Sequence, residues 1–235
     1  MTIEEYFGKW SYVIDLKEAD RIMKRLSVLK DSVCPMIKDV FKAFILCPPD
    51  SVRVVILGED PYPQYKSINK DSVSLSVPVA TGLAFANSSD TAEQNISKSL
   101  DILKESIIDY TVPHQGIIFD NSLEKWEAQG VLLLNAALTC EKGKSGSHLL
   151  LWRPFIRNFL STFSNLYSGI VYVLMGSHAQ SFECYINSNT NYIVKVRHPA
   201  YYTRTRTKMP SNIWREINKL LTGLNGYGIQ WYETV

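Results

Sequence analysis

The chain has 235 residues, 46% of them hydrophobic and 20% charged, with a formal net charge of +2. Length and apolar fraction suit a single domain, 1–235, with a sizeable core, and the small net charge means that no polyanionic partner can be inferred from bulk charge. Cys34, Cys47, Cys140 and Cys184 are scattered without a CxxC or a Cys/His pair, which argues against a disulfide framework or metal site and predicts reduced, mostly buried thiols. The first six residues carry Glu4 and Glu5 and no apolar stretch, unlike a signal peptide, and no apolar run is long enough to span a bilayer. An intracellular protein, cytoplasmic or nuclear, is expected. The sequons at Asn87 and Asn95 carry no weight without a secretory signal.

In chain order, an N-terminal helical region covers about 1–49. From Asp15 to about Phe44 the pattern is helical, with Leu16, Ile22, Met23, Leu26 and Leu29 as an apolar stripe. Pro48-Pro49-Asp50 ends it, and the core, about 50–222, opens with the β-branched run Val52–Leu57, which reads as a buried strand. Residues 60–93, rich in Pro, Ser, Asn and Asp, read mostly as loop. A helix is expected near Gln94–Ile108, and a short one over Leu123–Gln129, capped by Asp120 or Asn121 and stopped by Gly130. Val131–Leu134 is the second strand. A helix over Arg153–Phe163 opens with Pro154 in its first turn. Gly169–Leu174 is the third strand, running into Gly176-Ser177-His178 and another helix; Tyr192–Val196 is the fourth, and Asn212–Leu221 the last helix. Strands separated by helical patterns predict an α/β fold, three layers α/β/α around a four-stranded, mainly parallel sheet. Asp60, Asn135, Ser177 and His198 each fall just past a strand end. In a parallel sheet those ends share one edge, where ligand crevices form.

Gly58-Glu59-Asp60-Pro61-Tyr62, Gly82-Leu83-Ala84-Phe85, Gly130–Asn135, Gly176-Ser177-His178-Ala179-Gln180 and His198-Pro199 resemble, in order and spacing, the motifs of uracil-DNA glycosylases, most closely the family 1 branch. The resemblance covers roughly residues 50–222 and implies excision of uracil from DNA in base excision repair, by hydrolysis of the N-glycosidic bond of a flipped deoxyuridine. It implies no metal and no cofactor. It also implies a monofunctional enzyme that leaves an intact abasic strand. The expected partner is uracil-containing DNA, and the expected state a monomer.

By the same resemblance Asp60 stabilises the sugar cation and orients the attacking water. His198, neutral, donates a hydrogen bond to uracil O2 as charge gathers there. Asn135 reads N3–H and O4, Phe85 stacks on the base, and Tyr62 stands where a C5 methyl would lie. Glu59 stands where the family often has Gln; it is expected to bind uracil through its backbone N–H, and its carboxylate to raise a neighbouring pKa. His178 is expected to pack or cap.

The stretch 195–208 holds five Lys/Arg, no acid and two adjacent tyrosines, a pattern suited to phosphate contact and stacking. Ser177, Arg197, Tyr202 and Arg204 are the expected DNA contacts. Tyr202 occupies the position of the family's leucine wedge, with Arg204 helping. The chain departs from the family at Pro63, which replaces a histidine, at the acidic segment Ser88–Glu93, and at Ala200-Tyr201-Tyr202. Two rival functions stand beside this one: a glycosylase for another modified or mismatched pyrimidine, and a non-catalytic DNA-binding module on the same fold. An Asp-nucleophile phosphatase fits poorly, because Tyr62 stands where that chemistry wants a second carboxylate.

Overall fold

The computed structural model describes residues 2–29, 32–70, 73–110 and 116–234. Helices α1 (Ile3–Phe7) and α2 (Leu16–Ser27) precede strand β1 (Val33–Cys34) and helix α3 (Lys42–Leu46). Strand β2 (Val54–Gly58) leads to the hairpin β3 (Tyr65–Lys70) and β4 (Val73–Pro78), then α4 (Lys98–Tyr110), β5 (Ile117–Ile118) and α5 (Glu124–Glu127). There follow β6 (Val131–Asn135), β7 (Cys140–Glu141), α6 (Leu149–Leu166), β8 (Val171–Met175) and α7 (Ser177–Gln180). The chain continues through β9 (Tyr192–Val196), α8 (Pro199–Thr205), α9 (Asn212–Asn225) and β10 (Glu233–Thr234).

The central sheet has the order β6-β2-β8-β9, and each neighbouring pair is parallel. Strands β2, β6 and β8 are buried at every position, which is why they read as unbroken apolar runs rather than alternating ones. Strand β9 lies at the edge, and its Tyr192 and Lys195 face outward. The chain starts the sheet at β2, steps to β6 on one side and returns to β8 on the other, so strand order reverses at β2. Open α/β sheets bind ligands beyond the carboxyl ends at such a point.

Two aromatic clusters mark the flanking layers. In one, Trp10 meets Phe44, Phe159 and Phe163 and donates its indole N–H to the Cys47 carbonyl at 2.9 Å. In the other, Trp214 of α9 packs on Trp126 and Trp231 and donates to Ser106 Oγ of α4 at 2.9 Å. Strand β10 pairs with β5 and ties down the carboxyl terminus. The free edge of β6 is covered: Leu133 N–H donates to Glu127 Oε1 at 2.9 Å, and the Leu133 carbonyl accepts from Ala84 N–H at 3.2 Å. Burial pushes the Glu127 carboxyl well above its ordinary pKa. The bond from Ala84 also seats the Gly82–Phe85 turn against the sheet. Cys34, Cys47 and Cys140 are buried thiols and Cys184 is an exposed one.

Several sequence expectations need correction. The helical pattern from Asp15 ends at Ser27; the chain turns before Pro35, and Val33–Cys34 pairs with β7 instead. Residues 30 and 31 of that stretch lie outside the described residues. The loop expected over 60–93 contains the β3–β4 hairpin. Helix α6 begins at Leu149 rather than Arg153, so Pro154 sits inside it. Proline there leaves the carbonyl of residue 150 without its helical donor, which water can replace because Leu150 is exposed. After His198 the basic stretch is helical as far as Thr205, and residues 206–208 leave the helix. Pro199 opens α8 at its first position, where a fixed φ and a missing N–H suit a helix.

Candidate active site

The carboxyl ends of the four strands open on a cleft of about 980 Å³ lined by Glu59, Asp60, Tyr62, Phe85, Asn135 and His198, among others. Register explains the convergence. Gly58 pairs with Asn135 across β2 and β6, and Met175 with Val196 across β8 and β9, so the turns that follow start at one level.

Asp60 is held from across the cleft. Ser145 Oγ donates to its Oδ1 at 3.0 Å and Gly146 N–H to its Oδ2 at 2.6 Å. Burial raises the Asp60 pKa above the usual carboxylate value, these two donors oppose that rise, and the Glu59 charge adds to it. The expected influence of Glu59 is therefore present but secondary to burial. Ser145 and Gly146 were not singled out in the sequence. The available signal was the Gly/Ser-rich turn 143–147 before α6, and such turns are too common to mark a site.

Asn135 and Phe85 share the cleft floor. Asn135 is 7% exposed, and its amide has no hydrogen-bond partner among the described residues. Phe85 adopts φ +66°, a left-handed conformation that costs a bulky residue about 1–3 kcal/mol. It is held there by Tyr62, whose hydroxyl donates to the Phe85 carbonyl at 2.8 Å. Gly58 makes room for both residues: a Cβ there would stand 2.4 Å from Asn135 Oδ1 and 2.9 Å from Phe85 Cζ. Gly58→Ala is therefore expected to retain a cooperative unfolding transition while losing about 10²-fold in kcat/KM for the reaction of this cleft, the usual effect of a displacement near 1 Å. Thermal unfolding and a steady-state activity assay check this together.

His198 caps α8, its Nδ1 accepting from Ala200 N–H at 3.2 Å. An accepting Nδ1 places the proton of the neutral ring on Nε2. Burial lowers the His198 pKa, the Glu59 charge opposes this, and Arg204 and His178 add to the lowering. The ring lies 5.7 Å from that of Phe85. Gly176, at φ +92°, lets the turn after β8 approach, since a Cβ there would sit 2.8 Å from His198 Cβ. Gln180 bridges the same strand ends, donating to the Val196 carbonyl at 2.8 Å. His178 neither packs nor caps, contrary to expectation. It is half exposed, with Nδ1 2.9 Å from Glu59 Oε1.

The model of the uracil DNA glycosylase superfamily matches residues 44–222. The chain belongs to this superfamily. It is 29% identical over 231 residues to the uracil-DNA glycosylase of Fusobacterium nucleatum, spanning 97% of this chain and 92% of that one. With the uracil-DNA glycosylase of Yersinia pestis the identity is 34% over 206 residues, 85% of this chain and 81% of the relative. The crystal structure of mimivirus uracil-DNA glycosylase superimposes with a TM-score of 0.75 at 24% identity, over 97% of this chain and 86% of that one. That last likeness bears on the fold.

The mouth of this glycosylase's cleft is unevenly charged. Lys195 is engaged by Glu183 at 3.0 Å, whereas Arg197 and Arg204 have no carboxylate partner among the described residues. Arg197 instead lies 4.4 Å over the ring of Tyr201. Ser177 is exposed at the start of α7. Tyr202 corrects the expected wedge: it is 7% exposed and packs into the core, because the pitch of α8 turns it inward. Its neighbour Tyr201 lines the cleft with Arg204 instead. The acidic segment is fastened to the hairpin, Lys66 reaching Ser88 and Asp90. No described helix is long and apolar enough to cross a membrane.

Proposed function

We propose that the chain hydrolyses the N-glycosidic bond of a deoxyuridine flipped out of DNA, in the manner of family 1. The observation that carries this reading is the Asn135 amide on the cleft floor beside Phe85, without a partner among the described residues. Its donor and acceptor are left to solvent in the cleft, and a base edge offering one donor and one acceptor takes the place of that water. Uracil N3–H and O4 do so. Cytosine presents the reverse pattern.

In this reading Phe85 stacks on the base, and Tyr62, anchored on the Phe85 carbonyl, closes the side where a 5-methyl group would project. His198, neutral and protonated on Nε2, donates to O2 as the departing base gains negative charge. Asp60, ionised, faces the sugar as it becomes cationic and orients the water. The water's oxygen bonds to the anomeric carbon, the C–N bond breaks with its electron pair leaving on the base, and Asp60 takes up the water's proton. Arg197, Arg204 and Ser177 contact backbone phosphates at the mouth. Lys195, the lysine that lines the cleft, is paired with Glu183. With water as the nucleophile, the product is an abasic strand left intact.

The test is base release from matched single- and double-stranded oligonucleotides carrying U, T or a 5-substituted pyrimidine. Release from U alone, with strand scission only after alkali, is the expected result. Equal release of T or a 5-substituted base would favour a broader pyrimidine glycosylase. No release of any base would favour a DNA-binding module.

A further inference from the structure

The two donors on Asp60 come from one turn, and that turn is fastened on both sides. Lys142 N–H donates to the Ser32 carbonyl at 2.7 Å and Gly143 N–H to the Pro63 carbonyl at 2.8 Å. The second bond joins the turn to the segment that carries Asp60. Within the turn, Glu141 N–H donates to Ser147 Oγ at 2.8 Å. At its far end Trp152 Nε1–H donates to Thr139 Oγ1 at 2.7 Å, and Thr139 lies 2.8 Å from His148 Nδ1. Thr139 joins Trp152 and His148 in one buried hydrogen-bond chain. Ser145 is thus an exposed residue on a rigid mount, aimed at one carboxylate oxygen.

We propose that Ser145, with the Gly146 N–H beside it, is a positioning residue for the glycosylase reaction, clamping the Asp60 carboxylate in one rotamer across the cleft. The inference rests on the role proposed for Asp60. Each carboxylate oxygen accepts one bond from the clamp and keeps a second acceptor direction, so the clamp leaves capacity for a water. Bonds to a charged acceptor are stronger than neutral ones, and two of them, one to each oxygen, fix the carboxylate plane. The other titratable groups bearing on Asp60 are Glu59 and His178. Neither is moved by a change at Ser145.

Ser145→Ala tests the clamp. Because Ser145 is exposed, the variant is expected to unfold at the wild-type temperature. Its kcat is expected to fall roughly tenfold, the cost of one charge-assisted bond, with KM within about twofold of wild type if binding is untouched. The acid limb of kcat against pH is expected to move to higher pH, since the lost donor had favoured the ionised carboxylate. Ser145→Thr, which keeps the hydroxyl, should restore both. A wild-type kcat and an unmoved acid limb in Ser145→Ala would overturn the clamp. The reading of Asp60 fails separately, by an Asp60→Asn enzyme that turns over at the wild-type rate.

Discussion

Asp60→Asn is expected to slow uracil release by about 10²–10³-fold, the usual loss when a fixed group facing developing charge is removed. Asparagine fills the same volume; its oxygen can accept from Gly146 N–H while its NH2 donates to the Ser145 hydroxyl oxygen, so the turn keeps its shape. What disappears is the negative charge next to the sugar and the acceptor for the water's proton. Asn135, Phe85 and His198 are untouched, so the dissociation constant for uracil-containing DNA should stay within about threefold, binding and chemistry having separate contacts. Single-turnover rates and equilibrium binding, measured on one oligonucleotide, separate the two. Unchanged turnover would remove Asp60 from the mechanism.

Asn135→Asp is expected to exchange one base preference for another. A site built to pair a base edge rejects the wrong edge by about 10⁴–10⁵-fold, because mismatched partners leave buried groups unpaired. A carboxyl group in so enclosed a place is pushed toward its neutral form. Its hydroxyl would then donate to cytosine N3 while its carbonyl accepts from N4–H. Uracil release should fall by about 10²-fold or more, and cytosine release should become measurable. An enzyme that lost uracil without any gain on cytosine would count against readout by Asn135. Competition between uracil and cytosine oligonucleotides in one reaction gives the ratio directly.

The sheet was legible because a strand buried on both faces announces itself by composition alone. Val54–Gly58, Val131–Asn135 and Val171–Met175 are such strands, and the polar residues that follow them are placed by chain connectivity. The hairpin Tyr65–Pro78 was not legible, because its half-polar faces and four serines look like loop composition. Tyr202 was placed at the right position but facing the wrong way. Which tyrosine of the Tyr201-Tyr202 pair meets the cleft depends on the rotation of α8, set by Pro199 at its start and by packing on α4. Ser145 was out of reach for another reason: its partner lies 85 residues away, and no local pattern encodes that meeting. His178 likewise needed the position of Glu59 before its side chain had anything to do.

The bond from the Tyr62 hydroxyl to the Phe85 carbonyl makes two walls of the pocket a single part. On the proposed reading one wall sets which pyrimidine enters and the other how firmly it is held, so selection cannot tune them separately. Replacing Tyr62 by a small residue to admit a 5-methyl base would also release the strained turn at Phe85 that it restrains. A lineage drifting toward thymine would pass through enzymes that grip every base poorly, unless a second change first supplied another donor for that carbonyl.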